Sequence, residues 1–158
     1  MGQLAKFSEG KLVAMPASRL HLVRHGEVFN PQGVLYERLD GFELSETGHK
    51  MAQAAADELA SQGREIRKLL ASPLLRTQQS AAPISKAFGL EIAVEPRVIE
   101  PWNKFKGLKV GPGAILKRPS IALNLYNPAR PSWGEPFREI ADRMTSAALD
   151  AWRDADDG

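Results

Sequence analysis

An arginine and a histidine stand side by side in the stretch Leu22-Val23-Arg24-His25-Gly26-Glu27. Arg24 is a permanent cation whose planar fork can grip a phosphate through two parallel hydrogen bonds. A histidine is largely uncharged at neutral pH, and its ring then offers a lone pair to an electrophile. His25 beside Arg24 can therefore accept a phosphoryl group. A second guanidinium, Arg76, follows Ser72-Pro73-Leu74-Leu75 where the pattern opens a helix. Helix N-termini direct unpaired N–H groups and a positive dipole at anions, so Arg76 would add charge to a phosphate site. Asn30 either offers its side-chain amide to a phosphate oxygen or is simply the turn residue before Pro31. Glu100 precedes Pro101-Trp102, which could give it apolar cover. A carboxyl can protonate a leaving oxygen near neutral pH only if burial or nearby negative charge makes it hold its proton. The plainer reading of Glu100 is a surface glutamate at a turn.

These residues need elements to hold them. Residues 20–23 form a short apolar run that reads as a buried strand, broken at Gly26. Arg24 and His25 then lie at the carboxyl end of a strand, where open α/β sheets bind ligands. Residues 28–41 carry turn formers and read as loop. A helix opens at Leu44-Ser45-Glu46-Thr47-Gly48 with Ser45 or Thr47 as N-cap, repeats Met51, Ala55 and Leu59 along one face, and stops at Gly63. Residues 66–71 predict a second strand. The helix of Arg76 should run to Ala87 and stop at Gly89, and residues 90–94 predict a third strand. Pro136 suits the first turn of a last helix with Phe137, Ile140, Met144, Ala148 and Ala151 on one face. His49 reads as a surface or packing residue. Residues 1–18 carry little pattern and read as an N-terminal extension.

The 158 residues make one domain's worth of chain, 43% apolar and 25% charged, with net charge +2. Cysteine is absent, which excludes disulfides, thiolate metal sites and a cysteine nucleophile, and fits a reducing cytoplasm. No apolar run approaches the roughly 18 residues of a membrane span. No cluster of histidine and carboxylates has metal-ligand spacing, so neither metal nor other cofactor is expected. Between Glu100 and Glu135 there is no acid, while Lys104, Lys106, Lys109, Lys117, Arg118 and Arg130 all fall there. That interval either draws in an anionic substrate or is a solvated loop. Without runs of like charge or stacked aromatics, no nucleic-acid partner is expected.

Residues 22–27 resemble the signature of the histidine phosphatase superfamily, the phosphoglycerate mutase-like fold. Residues 71–81 are similar to its second signature, and the resemblance covers residues 19–152. It implies an α/β three-layer sandwich with a mainly parallel sheet and helices on both faces. His25 would be the nucleophile, and Arg24, Arg76 and Asn30 would hold the phosphate. Glu100 would be the acid for the first step and the base for water in the second. Residues 101–134 would be a variable cap that selects a small phosphorylated substrate, with Lys104, Lys106, Lys117 and Arg118 facing it. The activity implied is phosphomonoester hydrolysis through a phosphohistidine. The alternatives are a phosphoglycerate mutase-type transfer and a catalytically silent phospholigand-binding module. The family fold adds a strand after the last helix, ending in a second active-site histidine; His21, His25 and His49 do not fit that role. The expectation is therefore a single domain over residues 1–158, C-terminally truncated and lacking its last strand. An unpaired position beside the His25 strand would expose backbone and apolar surface, an edge that could pair in a homodimer.

Overall fold

The computed structural model describes residues 17–109 and 133–155. Its centre is a β–α–β unit. Strand β1, Leu69–Ala71, pairs in parallel with β2, Ile92–Val94, in the register Leu69↔Ile92 and Ala71↔Val94. The second helix of the chain, α2, Leu75–Phe88, connects them. It ends where Gly89 takes φ 67°, a left-handed cap that glycine adopts without steric cost.

Helix α1, Glu46–Ser61, precedes this unit and packs on α2. Ser45 is its N-cap and accepts a hydrogen bond from the Gly48 N–H. The Ser45 hydroxyl in turn donates to Glu27 Oε1 at 2.6 Å. The buried face is Gly48, Ala52, Ala56 and Leu59: Leu59 is buried as expected, whereas Ala52 and Ala56 take the places expected of Met51 and Ala55, and Met51 is left outside. Gly48, Ala52 and Ala56 put little bulk between the two helices, which permits a close approach. Ala56, Leu59 and Ile84 form the core, backed by Leu69 and Phe88.

Residues 20–23 are not a strand. They run beside a cavity of about 900 Å³ that separates them from β1. Leu22 is 81% exposed and Val23 47% exposed. A strand requires a neighbour for its N–H and C=O groups. The nearest described sheet, two strands wide, lies across that cavity, so the apolar run stays irregular. Of the expected three-layer sandwich, the described residues form this small parallel sheet and its helices.

Helix α3, Phe137–Asp154, lines the cavity through Met144, Ala147, Ala148 and Ala151. Phe137, expected on the buried face, is exposed at the first turn. Arg97 ties α3 to the end of β2, donating to Asp150 and to Glu95, both at 2.6 Å. The hydrogen bond from Arg97 holds the Glu95 carboxyl down to about 2. No described helix is long and apolar enough to cross a membrane.

Two glycines fix the loop of His25 against α1. A Cβ on Gly26 would lie 2.3 Å from the Gly48 carbonyl oxygen, and one on Gly48 would lie 2.0 Å from the Glu27 carbonyl oxygen. Both obstacles are backbone, so neither can swing aside. Helix propensity favours alanine over glycine by about 1 kcal/mol within a helix. Gly48→Ala is nonetheless expected to destabilise, by about 1–3 kcal/mol as for an overpacked core. A urea melt of the variant gives the sign directly.

Candidate active site

His25 sits on the irregular segment just before that glycine contact. Its Nδ1 lies 2.8 Å from the Gly26 carbonyl oxygen. A carbonyl can only accept, so Nδ1 carries the ring hydrogen and Nε2 keeps its lone pair. The ring nitrogen left free of that contact is Nε2. The Gly26 N–H donates to Ser80 Oγ at 3.1 Å, and the Ser80 hydroxyl donates to the Arg76 carbonyl at 2.8 Å. Through this chain the loop of His25 is pinned to the first turns of α2. Arg24 is exposed and makes no hydrogen bond or ion pair among the described residues. Like His25, Ser72 and Thr77, it lines the 900 Å³ cavity.

Arg76 occupies a different environment. It is 1% exposed, and its guanidinium reaches the Glu100 carboxylate at 2.5 Å and the Glu37 carbonyl. It also lies 4.8 Å from the centre of the Tyr36 ring, a cation–π distance. Arg38 completes the cluster, donating to the Glu100 carbonyl at 2.6 Å and to Glu135 at 3.0 Å. Arg143 holds Glu135 from α3 at 2.6 Å and, with its hydrogen bonds, keeps that carboxyl below the usual range.

The structure thus joins Arg76 to Glu100 and puts Arg24 and His25 on the lining of one cavity. Arg76 and Glu100 are not among the residues that line the cavity at His25. Asn30 spends its side chain on its own turn, with Nδ2 donating to the Val34 carbonyl and Oδ1 accepting from the Val34 N–H. Lys104 and Lys106 are exposed on the loop after Glu100. Lys117 and Arg118 lie outside the described residues, as do most of the expected cap and N-terminal extension. Sequence reasoning missed Glu37, Arg38 and Ser80. Ser80 was findable, because it stands four residues after Arg76 on the same helix face.

A family model described as the histidine phosphatase superfamily (branch 1) matches residues 20–158. The chain belongs to that superfamily. An uncharacterised protein of Mycobacterium tuberculosis, Rv0525, is 50% identical over 131 residues, covering 82% of this chain and 64% of Rv0525. A phosphoserine phosphatase 1 of Hydrogenobacter thermophilus is 41% identical over 83 residues, covering 52% of this chain and 38% of that protein. A 2,3-bisphosphoglycerate-dependent phosphoglycerate mutase of Thermoplasma acidophilum is 35% identical over 80 residues, covering 50% and 39%. Among solved structures, the mycobacterial glucosyl-3-phosphoglycerate phosphatase Rv2419c with VO3 aligns with a TM-score of 0.66 at 26% identity, over 80% of this chain and 61% of that one. The chain spans less than two thirds of the length of each of these relatives.

Proposed function

We propose that this histidine phosphatase superfamily member serves a phosphomonoester hydrolase acting on a small anionic phosphorylated metabolite. The single observation that carries the reading is the His25 ring fixed through Nδ1 on the Gly26 carbonyl, on a cavity that Arg24, without a hydrogen bond or ion pair among the described residues, also lines. His25 Nε2 attacks phosphorus, the P–O bond to the alcohol breaks, and a proton from Glu100 goes to the leaving oxygen. Water then attacks the phosphohistidine, giving up its proton to Glu100, the P–Nε2 bond breaks with its electron pair returning to His25, and orthophosphate departs. Arg24 neutralises charge on the transferring oxygens, as such clamps do in phosphoryl transfer. The substrate would bridge the two clusters, displacing the Glu100 carboxylate from Arg76. Relatives include both a phosphatase and a mutase, so mutase-type transfer is the second reading.

The test uses leaving groups. Glu100→Gln removes the transferable proton and keeps the shape. It is expected to slow an alkyl phosphate by about 10²–10⁴-fold, the usual worth of general acid catalysis. It should slow p-nitrophenyl phosphate far less, since nitrophenolate leaves without a proton. Equal losses on both substrates would remove Glu100 from the acid's role. Isomer interconversion without release of free phosphate would favour the mutase.

A further inference from the structure

Glu37 has no part in the chemistry above, yet it is the most awkwardly placed carboxyl among the described residues. It is 4% exposed. Its Oε2 accepts one hydrogen bond, from the Asn103 N–H at 2.8 Å, and its Oε1 is buried with no partner. Its backbone stands at φ 35°, in the left-handed region that favours glycine or asparagine. Backbone strain at a buried charged residue persists only where the surroundings hold it there.

Among the described residues, none of the charged groups around it bonds its carboxylate, and the Arg76 Nε is likewise buried without a partner. Arg76, from α2, bonds the Glu37 carbonyl rather than its carboxyl, and pairs with Glu100. Arg38, on the same loop, is spent on the Glu100 carbonyl and on Glu135, which Arg143 shares. Lys106 is exposed and makes no ion pair with Glu37. Tyr36 presents its ring to Arg76. Glu100 adds a negative charge nearby. A buried carboxylate with no cation of its own is far costlier than the neutral acid.

We propose that Glu37 is a positioning residue that stays protonated and uncharged, so that the Arg76 cluster carries one carboxylate charge fewer and can surrender Arg76 to a phosphoryl dianion. The inference rests on the proposed function, which brings that dianion to Arg76. Burial, with the charge of Glu100 added, raises the Glu37 carboxyl against the Asn103 hydrogen bond and the charges of Lys106 and Arg38, which lower it. The sign follows. A carboxyl raised in the folded protein contributes stability that is full below its ordinary 4.5 and is lost as pH rises through its raised value. When Glu37 ionises it releases its proton to water, a second carboxylate charge faces the anion, and affinity falls.

Sulfate is a suitable probe because it remains a dianion across the whole range. Calorimetric titration of the protein with sulfate from about pH 5 to about pH 9 should show affinity falling roughly tenfold more in the native protein than in Glu37→Gln, a Coulomb effect of one added charge. Carboxyl carbon NMR of the native protein gives a second readout that does not depend on the variant's folding. One glutamate assigned to position 37 should titrate above the ordinary carboxyl range. Parallel sulfate curves for the two proteins, or an ordinary titration at Glu37, would overturn the inference and leave the proposed function standing. Absence of sulfate binding to either protein at any pH would overturn the proposed function, and the inference with it.

Discussion

His25→Ala is expected to abolish covalent phosphate on the protein and to cut turnover of any phosphomonoester by at least about a thousandfold. The expectation is specific about the atom. Nδ1 is committed to the Gly26 carbonyl, so phosphate should be found on Nε2 and nowhere else on the ring. Brief incubation with a radiolabelled phosphomonoester, followed by acid and base treatment, reads this directly, because phosphohistidine is lost in acid and survives base. His49→Ala is the control: His49 is exposed on the first turn of α1 and should leave labelling unchanged. Label retained in His25→Ala, or found on Nδ1 of the native protein, would contradict the reading of the site.

The contrast between what could and could not be read from the chain has a physical cause. The Arg24-His25 pair is a local string, and its chemistry is visible in residue types alone. Ser45, Gly63 and Gly89 are equally local, because caps satisfy groups within one turn of themselves. The predicted strand over residues 20–23 failed for the opposite reason. Its apolar character is real, but strand formation depends on a neighbour that no local pattern supplies, and β1 stands across a cavity. Glu37 was invisible for the same reason. Its backbone carbonyl meets Arg76 and its carboxyl meets Asn103, 39 and 66 residues away. Arg76 was legible as a helix-start cation, whereas its ion pair with Glu100, 24 residues on, required the fold. Asn30 kept the plainer of its two readings in this structure, as a residue closing its own turn with both side-chain atoms.

That ion pair makes Arg76 the residue whose loss should be felt twice. Arg76→Ala removes a side chain that is 1% exposed, leaves the Glu37 carbonyl without its donor and takes the cation from the Tyr36 ring. Glu100 is 38% exposed, so water can take over much of its share and the full penalty of a broken buried pair does not apply. A cost of about 2–4 kcal/mol is expected, mostly from the cavity and the orphaned carbonyl. Arg76→Lys separates this from catalysis. Lysine keeps the charge and most of the volume but has a point ammonium in place of a fork, so it cannot reach Glu100, the Glu37 carbonyl and a phosphate oxygen in the same geometry. It should therefore recover much of the stability while kcat/KM stays down by about 10²–10³-fold, the scale of one lost transition-state donor. Chemical denaturation and steady-state rates on the same two variants decide it. A lysine variant with native rates would mean that Arg76 holds the fold and never meets the phosphoryl group.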